Sequence, residues 1–247
     1  MKKILFSATL VAASMVSLTS CDKSESVLSG VETTATEQSE LSVTTRIGSM
    51  TRSVLGRPID AFTSGDEIGL FVSNGSVNTP YNGVAANKNV KSAFTTVWTQ
   101  TPKVYLSSAQ ATVYAYYPYS STVNDGTKVA IDHTSQTDYL YATPATGISN
   151  RRSTAGLGMN HALSLVQFNL KTENYSGAGQ LTAIKIANKS GGKSLISQGT
   201  LNIQTGAIAK GTSTEAVTKA TNLPQTIGNW SENTYPKMLV LPTSAPA

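Results

Sequence analysis

The sequence predicts an all-β protein whose short strands pack into sandwiches. Three observations carry that expectation. Apolar and β-branched residues come in short runs, several with the alternation of a half-buried strand. Turn dipeptides separate the runs: Asn74-Gly75, Asn82-Gly83, Asp125-Gly126, Gly191-Gly192 and Thr205-Gly206. No window sustains an apolar period of 3.6 residues over a useful length. Of the 247 residues, 39% are hydrophobic and 13% charged, so the chain can bury a core and is not disordered as a whole.

The elements follow in chain order. Lys2 and Lys3 precede an apolar stretch, Ile4 to Val16, too short for a membrane span. Leu18-Thr19-Ser20-Cys21 closes it and resembles the lipobox of bacterial lipoprotein signals. That resemblance implies cleavage before Cys21 and lipid, of the palmitate kind, on its thiol and new amine. Multiple acyl chains at about 0.8 kcal/mol per buried CH₂ would hold the protein on a membrane. Cys21 is the only cysteine, which excludes an internal disulfide and a Cys-based zinc site.

Asp22 to Thr36 is polar and reads as a tether. Five acids face one base between Asp22 and Glu40, so an acidic leader precedes a basic body. Leu41, Val43, Thr45 and Ile47 alternate at period two, which predicts a strand ending beside Arg46. Further strands are expected at Glu67–Val72, Phe94–Thr99, Ala111–Tyr117, Val129–Ile131, Tyr139–Ala142, Ser164–Lys171, Leu181–Ala187, Gly199–Ile203 and Lys237–Leu241. The Gly-rich stretch Asn150 to Gly158 marks a domain boundary by composition.

Candidate chemistry is sparse. The net charge of +5 is scattered rather than gathered into a nucleic-acid-binding patch. No Gly-x-Ser-x-Gly elbow, dinucleotide fingerprint or P-loop occurs. Asp66-Glu67 is expected to act as a turn acid and its neighbour, because adjacent strand residues face opposite sides. Asp125 and Asp132 flank a short strand. His161 is expected to pack at the start of an apolar strand, and His133 to lie in a loop. Tyr114, Tyr116, Tyr117 and Tyr119 could stack on sugar rings, but alternate strand positions place at least one face in a core.

Several blocks together resemble the Bacteroidales fimbrillin family, the pilins of type V pili. They are Phe62-Thr63-Ser64-Gly65-Asp66-Glu67-Ile68-Gly69-Leu70-Phe71-Val72, Val113-Tyr114-Ala115-Tyr116-Tyr117-Pro118-Tyr119, Asp138-Tyr139-Leu140-Tyr141-Ala142, the run from Asn160-His161-Ala162-Leu163 to Leu170, and Met238-Leu239-Val240-Leu241-Pro242. The resemblance implies two transthyretin-like β-sandwiches. With the lipobox it divides the chain into a signal peptide (1–20), a tether and removable leader strand (21–55), an N-terminal sandwich (56–153) and a C-terminal sandwich (154–247).

The resemblance also implies a non-enzymatic fimbrial subunit with no cofactor or metal, exported to the outer membrane as a lipoprotein. Its expected partners are an Arg-specific protease and other pilin subunits joined by strand exchange. Arg46 is the expected processing site, with Arg52 the competitor. Family members usually continue past the last block, whereas this sequence stops at Ala247. That predicts an incomplete second sandwich, through truncation of the record or a shortened subunit that accepts a strand without donating one; truncation is favoured. The alternative is a monomeric surface lipoprotein that binds a glycan or host ligand through its loops.

Overall fold

The computed structural model describes residues 37–48, 59–169, 173–174, 177, 179–218, 225–226 and 236–243. These residues form an all-β, sandwich-like arrangement without an α-helix. The strands are β1 (Ser39–Glu40), β2 (Ser42–Ile47), β3 (Glu67–Ser73), β4 (Val90–Phe94), β5 (Trp98–Thr101), β6 (Tyr105–Leu106), β7 (Ala111–Tyr117), β8 (Val129–Asp132), β9 (Leu140–Thr143), β10 (Ala145–Ile148), β11 (Thr154–His161) and β12 (Ser164–Gln167). They continue with β13 (Gln180–Leu181), β14 (Gln198–Leu201), β15 (Ile208–Lys210), β16 (Gln225–Thr226) and β17 (Lys237–Val240).

The principal sheet runs β2-β11-β9-β7-β3-β4-β5, with β10 also pairing β7. Its neighbours are antiparallel except at one place: β2 runs parallel to β11. β3 and β7 form its centre, and both of their faces are buried. Ile68, Leu70, Val72, Val113 and Ala115 point into one core. Phe71, Tyr114 and Tyr116 point into a second. Strands buried on both faces read as continuous apolar runs, which is why these two were visible in the sequence.

The second core lies against β8, β14 and β15, which form a sheet of their own, and against Leu239 and Leu241 in and after β17. β8 from the first half of the chain thus pairs with β14 from the second. Gly69 is required at the centre: a Cβ there would meet the Tyr116 ring at 2.1 Å.

Several expected boundaries move. Phe94–Thr99 is not one strand; the chain turns at 95–97, and Phe94 meets Trp98 across the resulting hairpin at 5.0 Å between ring centroids. The Gly-rich stretch before Gly158 is not a linker throughout, because β11 runs through it from Thr154. Pairing with β2 holds Gly156 and Gly158 extended despite their low strand preference, and pairing with β9 adds a second ladder from Gly158 onward. The expected strand at 181–187 shrinks to β13 and a single bridge, Ile186 to Val217. β12 spans only Ser164–Gln167, although Phe168 N–H still donates to the Pro236 carbonyl.

β17 pairs with β12 on one edge. Side chains hold its other edge. The Gln136 amide donates to the Leu239 carbonyl and accepts from Leu239 N–H, both at 2.8 Å, as a neighbouring strand would. His133 is fully buried rather than in an open loop, and its Nδ1 accepts from Leu241 N–H at 3.1 Å. Burial pushes the His133 pKa below its ordinary 6.5; the Glu215 carbonyl and Asp132 carboxylate oppose this without outweighing it.

A proton added at Nδ1 would confront Leu241 N–H, so the fold favours neutral His133. Between the folded and unfolded pKa values the unfolded chain binds more protons. Stability from this site is therefore complete above about pH 6.5 and is lost as pH falls below it. Urea titrations should show a midpoint that declines from pH 7.5 to 5, with a shallower decline in His133→Asn. Equal slopes in the two proteins would contradict this role.

Candidate functional site: the leader strand and its groove

The alternation at 41–47 becomes a buried strand with two different faces. Leu41 and Val43 are buried in the first core, and Ile47 packs against it half-buried. Ser42, Thr44 and Arg46 face outward and are exposed. Fully burying a leucine or valine contributes about 1.5–3 kcal/mol, so these side chains are part of the core's stability.

The ladder is regular. Ser42 to Ile47 lie opposite Thr154 to Met159 in unbroken register. Ser42 N–H donates to the Ser153 carbonyl at 2.9 Å, and Gly48 N–H to the Met159 carbonyl at 2.7 Å. Upstream, β1 pairs with β6, and Leu41 N–H donates to the Val104 carbonyl at 2.8 Å. Asn150 ties the start of the segment: its side-chain N–H donates to the Glu37 carbonyl, and its own carbonyl accepts from Ser39 Oγ. The exposed Lys103–Glu40 pair, at 2.8 Å, adds little in water.

On its other edge β2 faces β5 with no ladder between them; the described strands form a curled sheet whose two ends approach. A cavity of about 530 Å³ lies there, lined by Ser42–Ile47, Asp60–Phe62, Phe94 and Thr96–Trp98. Phe62 packs edge-on against Trp98, with centroids 5.0 Å apart, and against Tyr117 at 5.6 Å. A hydrogen bond crosses the gap: the Trp98 indole N–H donates to Thr45 Oγ1 at 3.0 Å.

The leader's end is tied by a buried pair. Asp138 and His161 are 5% and 7% exposed, and Nδ1 of His161 lies 2.9 Å from Asp138 Oδ2. His161 Nε2 lies 3.2 Å from the Gly48 carbonyl. Asp138 also accepts from Ile59 N–H at 2.9 Å. The couple therefore binds the described residues on both sides of 49–58. The two ring nitrogens thus face the Asp138 carboxylate and the Gly48 carbonyl.

His161 was expected to be a packing residue; it is buried but paired. Asp138 begins one motif block and His161 lies in the next, but neither block announces that the two side chains pair. β9 and β11 are antiparallel neighbours with His161 opposite Leu140, which brings the two side chains together. Nothing in the sequence marked Trp98 or Asn150.

Of the processing residues, Arg46 is exposed, opposite Gly158, where an added Cβ would meet no atom within 4 Å. Its side chain is accessible while its backbone belongs to the ladder. Cys21 and Arg52 lie outside the described residues. Asp66 is a turn acid that accepts from Thr63 N–H and from the Tyr117 hydroxyl. Asp125 accepts from Thr127 and Asn78, which holds its carboxyl down at about 2. Tyr114 and Tyr116 are buried; the Tyr114 hydroxyl donates to the Gly75 carbonyl, and the single Tyr116 hydroxyl proton faces both Asn89 Oδ1 and the Ser120 carbonyl. Among the described residues no cluster of three or more His, Cys, Asp or Glu could hold a metal ion, and no helix is long and apolar enough to cross a membrane.

A sheet completed by a parallel edge strand and backed by a second apolar layer is the arrangement on which the comparisons bear. Residues 51–247 match the fimbrillin-like family, and the chain belongs to that family. It is similar in fold to a candidate cell adhesion protein from Bacteroides uniformis, at 22% identity and a TM-score of 0.58, covering 84% of this chain and 77% of that one. A candidate cell adhesion protein from Bacteroides ovatus is similar at 22% identity and a TM-score of 0.55, covering 85% and 80%. No curated protein matches.

Two outcomes follow from this geometry. Leu41→Ala should lower unfolding free energy by about 2–5 kcal/mol, the usual cost of emptying a buried leucine site; a loss under 1 kcal/mol, read from denaturant titration, would show that the leader is not core. His161→Ala should speed Arg-specific cleavage at Arg46 several-fold, because cleavage needs the end of β2 to open. An unchanged rate in limited digestion followed by mass spectrometry would contradict the tie.

Proposed function

We propose that the protein is a structural or accessory subunit of cell-surface fimbriae, processed after an arginine and assembled by β-strand exchange. The observation that carries this reading is the leader. Leu41 and Val43 are buried in the first core, β2 pairs with β11 in parallel, and the exposed Arg46 lies near the end of β2. Membership of the fimbrillin-like family supports the subunit role.

Cleavage after Arg46 converts a covalent core strand into a bound peptide. Its two buried side chains contribute about 3–6 kcal/mol, to which the ladder adds. Once cut, that gain is set against about 4–15 kcal/mol of association entropy, so the peptide can leave and be replaced. Its loss would open a groove of apolar pockets beside unpaired groups of β11, each costing about 1–3 kcal/mol if buried unsatisfied. A strand from another subunit restores both by β-augmentation. Lipid on Cys21 would carry the precursor to the outer membrane.

The proposal is tested by intact mass and N-terminal sequencing of surface protein before and after Arg-specific digestion. A new N-terminus at Ile47, or at Ser53 if Arg52 is cut, together with high-mass polymers is expected. A persistent lipidated start at Cys21 with neither cleavage nor polymers would overturn strand exchange in favour of a tethered binding lipoprotein.

A further inference from the structure

We infer that Trp98 selects the strand that fills the groove, by demanding a hydrogen-bond acceptor at its third inward-facing position. This rests on the reading that the leader is replaceable. The inward positions of the leader are Leu41, Val43, Thr45 and Ile47, and only Thr45 is polar. A threonine amid apolar neighbours on a core-facing edge calls for a partner, and its hydroxyl accepts the Trp98 indole N–H at 3.0 Å. Trp98 is 7% exposed, and its indole is a donor with no accepting alternative.

The indole cannot easily turn away. Phe62 lies edge-on to it and Phe94 packs on it, each with ring centroids 5.0 Å away. β5 pairs with β4 through Trp98 itself, opposite Phe94. The donor is thus held in place before any strand arrives.

Selection follows from the asymmetry between making and losing a buried bond. An occupying strand with Ser, Thr or Asn at the third inward position pairs the indole. One with Val or Leu there fills the space but strands the N–H, and the penalty corresponds to about tenfold weaker binding or more. The outward positions are undemanding, because β11 offers Gly156 and Gly158 opposite Thr44 and Arg46. The groove therefore takes an extended strand with branched apolar residues at the first and second inward positions and an acceptor at the third; the fourth, Ile47, stays with the subunit when the cut falls after Arg46.

A double-mutant cycle in the full chain tests this without requiring cleavage. Hydrogen exchange of the β2 amides would be measured in wild type, Thr45→Val, Trp98→Phe and the double variant. Each single variant should raise β2 opening about tenfold, with the double variant no worse than either. Independent, multiplying effects, or no effect of Thr45→Val, would overturn the inference. Protein cleaved after Arg46 would then be challenged with synthetic 37–46 peptides bearing Thr or Val at position 45. The Thr peptide should bind about tenfold more tightly. Equal binding overturns the selection; no binding of either peptide, with coupling intact in the cycle, overturns strand replacement while leaving the Trp98–Thr45 contact standing.

Discussion

The structure depends on one strand whose side chains complete a core although its backbone sits at the end of a sheet. β2 has a ladder on one edge only, to β11, yet it and the residue before it bring Leu41 and Val43 to the same cluster that Ile68, Leu70 and Val113 occupy. An edge strand that is also core is a conflict for a stable monomer, because edges fray and cores do not. The chain manages the conflict by tying both ends of the segment: Asn150 and β6 hold the start, and Met159 and the His161–Asp138 couple hold the finish. The middle is left to the ladder, the apolar pockets and the Trp98 indole.

The remainder of the fold makes such a strand tolerable. β3 and β7 are buried on both faces, and the second apolar layer backs them through Phe71, Tyr114 and Tyr116. Removing a strand at one end of the sheet leaves that centre covered. The tyrosines add fixed hydrogen bonds: burial pushes the Tyr116 hydroxyl up to about 12, so it keeps its one proton, which faces Asn89 Oδ1 and the Ser120 carbonyl. Far from the groove, β17 has a second edge satisfied by Gln136 and His133. Side chains there do what a ladder would do, and they leave no free edge at Leu239.

Legibility in the sequence followed burial. β3 and β7 were readable because two buried faces make a continuous apolar run. β2 was readable because one buried face makes clean alternation, and the same pattern placed Arg46 on the exposed side. β11 was missed. Its buried residues Ala155, Leu157 and Met159 do alternate, but glycines between them resemble a linker when composition is read alone. Phe94–Thr99 was misread because two aromatic residues that face each other across a turn look, in one dimension, like one strand. Asp66 was placed correctly because turn chemistry is local. The His161–Asp138 couple, the Trp98–Thr45 bond and the Asn150 tie join residues 23, 53 and 113 positions apart, and no local pattern announces such pairs.

The central claim is that β11 is covered by a strand that can be exchanged. Hydrogen-exchange mass spectrometry of Thr154–His161 before cleavage, after Arg-specific cleavage and in assembled material tests it most directly. The account predicts protected β11 amides in the precursor, faster exchange once the leader departs, and restored protection in polymers. Exchange in β11 that is unchanged by loss of the leader would contradict it, since the strand would then owe nothing to β2.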